Sequence, residues 1–156
     1  MLQKGFRRHQ WSGRLLVFFV LVVVVWGVIG MLRVSPSEQA EKVVRSFYEF
    51  EQEGQFSESW ELFHPLMKER FPKGDYIQER AHVFMSHFGV ETFSFSLGKV
   101  KKIQSWKDTE NSSPLKTVYQ VPVKQVYQGK FGNFSLHQEV FVTEHKEKWL
   151  ILWDYE

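Results

Sequence analysis

The six histidines and three aspartates of the chain are the first residues to weigh for proton-transfer or metal chemistry. His137 and Glu139 stand at alternate positions of an alternating segment, so on a strand they share one face. That pairing could hold a metal, or a base beside its orienting carboxylate. The competing reading, a solvated outer face with Gln138 and Val140 turned inward, is the stronger. His82 and His87 are five apart, off the i, i+4 spacing that stacks two imidazoles on one helix face. His64 precedes Pro65 and is expected to satisfy local backbone groups. Asp75 fits a helix cap, Asp108 a polar loop and Asp154 the polar side of a final strand. There are no cysteines, which excludes a disulfide framework, a thiol nucleophile and thiolate metal sites. These residues assign no catalytic set, no metal site and no cofactor.

The elements that must position them begin with a basic arm, residues 1–14, carrying Lys4, Arg7, Arg8 and Arg14 and no acid. Leu15 to Leu32 follows, eighteen residues without a charge. As a helix that run is roughly 27 Å long, about the thickness of a bilayer core, and it reads as a transmembrane helix. The arm orients it with the N-terminus cytoplasmic and residues 33–156 extracytoplasmic. A cleaved signal peptide fits less well, because the run exceeds the roughly 7–15 residues of such a core and lacks an Ala-x-Ala site. Beyond the arm the chain has 16 basic and 18 acidic residues and no basic stripe, so nucleic-acid binding is excluded.

Residues 33–156 make one domain. Ser35-Pro36-Ser37-Glu38 is a helix start, and Ala40, Val43, Val44 and Phe47 follow helical spacing up to Gly54. A second helix is expected from about Ser57 to Phe63, with a further turn over Leu66 to Phe71. A third starts at an Asp75/Gln78 capping box and buries Ile77, Ala81, Phe84 and Phe88. The period then becomes alternating. Four strands are expected: Phe93 running on towards Trp106, Thr117 to Val123, Leu136 to Val142, and Trp149 to Tyr155. Pro122 marks an edge or a bulge. The fold class is α+β: an N-terminal transmembrane helix, then three helices packed on a curved four-stranded antiparallel sheet.

This order, with Ser59-Trp60-Glu61-Leu62-Phe63-His64-Pro65, Asp75-Tyr76-Ile77 and the closing Lys148-Trp149-Leu150-Ile151-Leu152-Trp153-Asp154, resembles the nuclear transport factor 2-like superfamily. It is similar to the small membrane-anchored extracytoplasmic bacterial members. The resemblance implies a cone-shaped domain, in whose enzymes an acid or a His–Asp pair deep in the cone acts as base. No residue here matches that motif, and the fold hosts enzymes, ligand binders and scaffolds alike.

Aromatic content is 17%. Trp60, Phe63, Phe84, Phe88, Phe93, Phe95, Trp149 and Trp153 are the candidates for a pocket or an interface, with core filling as the plainer reading. Lys99, Lys101 and Lys102 read as a solvated face. The expected function is a single-pass membrane protein presenting a non-catalytic domain to a protein partner or a second copy. The bilayer would hold it through Leu15 to Leu32. The alternative is a small-molecule binder, or a dehydratase- or isomerase-type enzyme, using an apolar pocket in the cone.

Overall fold

The computed structural model describes residues 15–24, 26, 34–82, 92–107, 113–129 and 132–154. It divides into two compact units, Met1–Ser35 and Pro36–Glu156. In the first, helix α1 (residues 15–24) has exposed apolar side chains from Leu15 to Val24.

The second unit begins with α2 (Pro36–Gln52), which has proline in its first turn and Glu38 near its positive end. Its buried stripe is Ala40, Val44, Phe47, Tyr48 and Glu51. Gly54 takes a positive φ of 70°, and Gln55 N–H donates back to the Phe50 carbonyl at 2.8 Å, stopping the helix. Two one-and-a-half-turn helices follow, α3 (Phe56–Glu61) and α4 (Pro65–Arg70). His64 caps α4: its Nδ1 accepts the Leu66 N–H at 3.3 Å, and Pro65 supplies the first-turn φ. α5 (Lys73–His82) completes the helical layer.

The sheet is antiparallel and consists of β1 (Phe93–Leu97), β2 (Lys101–Trp106), β3 (Leu115–Gly129), β4 (Gly132–His145) and β5 (Lys148–Trp153). Its order is β1-β3-β4-β5, with β2 also paired to β3. β1 lies opposite Val123–Tyr127 and β2 opposite Leu115–Gln120, so the two share one side of β3, end to end. The β4–β5 turn uses Lys146 and Glu147, both at positive φ (49° and 65°), as a two-residue hairpin demands.

Several expectations are corrected. The sheet has five strands, not four, because Gly98, Lys99 and Val100 interrupt the segment expected to run unbroken to Trp106. Four helices, not three, lie between Pro36 and His82, since Pro65 starts a helix of its own. No transmembrane helix is found: among the described residues no helix is long and apolar enough to cross a membrane. Asp75 is not a cap, because α5 already begins at Lys73. The expected continuation of that helix to Phe84 and Phe88, together with Asp108 and Tyr155, lies outside the described residues.

Pro122 also departs from expectation. It sits inside β3, which is paired on both sides, rather than at an edge. Its carbonyl accepts the Gly98 N–H at 2.7 Å. Its missing N–H therefore faces the break between β1 and β2, where no ladder partner is required. A Cβ on Gly98 would come within 3.0 Å of the Pro122 ring. Glycine and proline thus fit together at one point of the sheet.

The core is aromatic. Trp153 packs on Phe63 (ring centroids 4.8 Å) and Phe47 (5.7 Å), and Phe63 packs on Tyr76 (5.2 Å). Val140, Phe141, Val142 and Thr143 are all buried, so this part of β4 is covered on both faces. Phe141 packs on Trp106 at 5.1 Å. Replacing Gly98 by alanine is expected to destabilise the fold by about 1–3 kcal/mol through overpacking against Pro122. Urea unfolding of the full chain measures this, and Lys99→Ala next door should stay within about 0.5 kcal/mol of wild type.

Candidate functional site

A cleft of about 390 Å³ lies between α5 and β4. Its apolar walls are Phe71, Tyr76, Leu136 and Trp153, and its polar groups are Glu79, Arg80, His137 and Gln138. The volume falls in the range of small-ligand sites, about 300–1,000 Å³. Tyr76 and Arg80 are four residues apart on α5 and so share a face. Leu136, His137 and Gln138 come from β4, held in register by Gln125, Lys124 and Val123 of β3.

Behind the cleft is a buried carboxylate. Glu51 occupies the last position of the apolar stripe of α2, and its side chain is fully buried. Oε1 accepts from the Ser59 hydroxyl at 2.5 Å and the Tyr76 hydroxyl at 2.6 Å. Oε2 accepts from Arg80 Nε at 2.6 Å and also from Arg80 Nη2. Both oxygens are thus engaged by donors from α3 and α5, two of them on a guanidinium, as a buried carboxylate requires. Burial works against the Arg80 charge, but the Glu51 carboxylate and Tyr76 outweigh it and leave the guanidinium more basic than usual. Burial, reinforced by the Glu51 charge, holds the Tyr76 hydroxyl well above its ordinary range. Tyr127 is pushed up to about 12, chiefly by burial, and donates to Gln125 Oε1 at 2.6 Å. Glu51 is the only acidic side chain buried among the described residues, and its lone pairs face donors rather than the cleft. The arrangement can bind and orient, and the Glu51 carboxylate is taken up by its four donors.

Among the described aromatic candidates, Trp153 alone lines this cleft. Phe63 is fully buried behind it. Phe93 stacks on Tyr127 at 5.2 Å, and Phe95 lies 5.6 Å from Tyr48. Trp149 packs on Tyr119 at 5.5 Å and borders a separate depression with Leu115 and Thr143. Trp60 is part of the helical surface: its indole N–H donates to the Phe71 carbonyl at 2.7 Å, and Lys68 lies 4.4 Å over its ring. Phe84 and Phe88 lie outside the described residues. His137 and Glu139 are both exposed; together they border a smaller hollow beside Gly98 and Pro122, and His137 also lines the cleft. No group of three metal-ligating side chains occurs among the described residues.

Sequence reasoning missed Glu51, Tyr76, Glu79, Arg80, Phe71, Leu136 and Gln138. One signal was available: a glutamate in register with Ala40, Val44 and Phe47 demands a buried cationic partner. The face of α5 was misplaced by one residue. Tyr76, not Ile77, is its buried position, because Glu51 draws Tyr76 and Arg80 inward.

His64 is a second buried titratable group, 5% exposed, with its ring 4.9 Å from that of His145. Its Nδ1 accepts the Leu66 N–H, so the neutral ring carries its proton on Nε2, which has no hydrogen-bond partner among the described residues. Burial, with His145 adding to it, lowers its pKa from 6.5 to about 4.

Two outcomes follow from these groups. Glu51→Ala strands the Arg80 charge and should cost about 3 kcal/mol in urea unfolding, while Glu51→Gln, which keeps an acceptor, costs less. For His64 the folded pKa is depressed, so between pH 6.5 and 4 the unfolded chain binds a proton that the folded one refuses. The stability it contributes is complete above pH 6.5 and falls away towards pH 4, by about 2–3 kcal/mol. His64→Asn retains a capping acceptor and should flatten that part of the pH dependence of the urea midpoint.

No protein-family model and no characterised protein matches the chain.

Proposed function

We propose that the Pro36–Glu156 unit is a non-catalytic binding domain of the nuclear transport factor 2-like kind, which receives a protein partner at the mouth of the α5–β4 cleft. The observation that carries this is the full engagement of the Glu51 carboxylate by Ser59, Tyr76 and Arg80. The cleft therefore has apolar walls and a structural ion pair at its back, and its buried carboxylate is not free to act as a base. The rim supports docking: Leu136 is 48% and Phe134 38% exposed, neighbouring side chains on one face of β4. The order of helices followed by an antiparallel sheet supports the superfamily assignment.

The location proposed is a membrane, to which the uncharged segment from Leu15 to Leu32 holds the chain, with the domain on the extracytoplasmic side. The basic arm ahead of that segment is the support for this orientation. A small molecule in the cleft is the second reading, and the cleft volume of about 390 Å³ favours it.

Crosslinking of the full-length protein in its own membranes tests the docking reading. Wild type should yield one consistent partner or a self-dimer, and Leu136→Asp, a change at an exposed position, should reduce that product at least tenfold. An unchanged product in the variant would sink the reading.

A further inference from the structure

Resting on that reading of the cleft, we infer that what enters it is a group with an apolar stem and a cationic head, supplied by a lysine or arginine side chain of the protein partner. The charges around the cleft point this way. Glu51 and Arg80 neutralise each other, and Arg80 turns Nε and Nη2 onto Glu51 Oε2 rather than into the cleft. Glu79 is then the remaining charge lining the cleft, with histidines counted neutral. It is exposed and makes no ion pair among the described residues. Asp75, one turn earlier on α5, is also exposed and adds negative potential on the same side.

The walls agree in sign. Phe71 and Tyr76 meet Trp153 with ring centroids 6.0 and 6.4 Å apart. Aromatic faces carry negative quadrupole density, which attracts a cation and repels a carboxylate or phosphate. Leu136 supplies the apolar contact that a methylene stem requires. An anion would meet Glu79, three aromatic rings and an arginine already held by a carboxylate. A cation meets the Glu79 carboxylate beside aromatic side chains, in a cleft that water only partly screens.

The test is calorimetric titration of the full-length protein in a nonionic detergent with hexylammonium, hexanol and hexanoate, which have six carbons each and differ in charge. Two blocked tripeptides, with lysine or glutamate between leucines, distinguish a side chain from a free amine. Hexylammonium should bind at least tenfold more tightly than hexanoate, and the lysine peptide more tightly than both the glutamate peptide and hexylammonium. Glu79→Gln should bring hexylammonium down to hexanol, and Glu79→Lys should reverse the preference towards hexanoate. Because Glu79 is exposed, both variants should keep the wild-type urea midpoint.

Hexanoate binding as tightly as hexylammonium would overturn the inference, as would a preference unchanged in Glu79→Gln or no binding of any probe. Hexylammonium outcompeting the lysine peptide would overturn the partner side chain as its source. The docking reading stands or falls separately, on the Leu136→Asp crosslinking result.

Discussion

A carboxylate taken out of water must be surrounded by donors, and Glu51 imposes that condition on three of the four helices packed on the sheet. Its two oxygens collect Ser59 from α3 and Tyr76 and Arg80 from α5, so three helices are positioned relative to one side chain. An apolar residue at this position would pack at lower desolvation cost, and buried ion pairs seldom add net stability. What the pair supplies here is direction. Only one rotation of α5 about its axis places both Tyr76 and Arg80 on the carboxylate, and that rotation also sets Glu79 on the cleft. The chemistry of the cleft thus descends from a group that does not line it.

The sheet provides the opposite wall by a different kind of constraint. Trp153 meets Phe47 from α2, Phe63 from the turn before α4 and Tyr76 from α5, so the last strand is the surface on which the helices converge. Gln138 on β4 accepts from Tyr48 at 2.9 Å, and Gln52 donates to the Phe93 carbonyl at 2.6 Å, pinning α2 across both β4 and β1. Directional bonds of this sort fix register in a core that apolar contact alone would leave free to slide.

Much of this was legible in the sequence, for reasons that differ by element. The α2 stripe and the face of β3 that carries Tyr119, Val121 and Val123 are periodic signals written in single residues, and both match the described burial; β4 and β5 do not alternate, since Leu136 is exposed, Val140 to Thr143 are buried without a break, and so are Ile151 to Trp153. The α3–α4 break was marked by Pro65. The break between β1 and β2 was not legible, because Gly98 needs Pro122, twenty-four positions away, to explain it. The cleft was less legible still. Its aromatic candidates were chosen by residue type, whereas membership depends on which face of α5 turns inward, and Glu51 decides that from another helix. Tyr76 and Arg80 look like surface residues until their distant acceptor is known.

The two margins of the sheet are closed to other chains in different ways. Along β5, the Phe63 bridge to Ile151 occupies the middle of the outer hydrogen-bonding row: Ile151 N–H donates to Leu62 and His64 N–H to the Ile151 carbonyl, each at 2.9 Å. On the far side, the row is cut in two at Gly98 and carries Lys99, Lys101 and Lys102. A second copy approaching that margin would meet lysine with lysine, along stretches of five or six residues instead of one long rail. Both features disfavour edge-to-edge growth of a sheet rich in valine and aromatic residues.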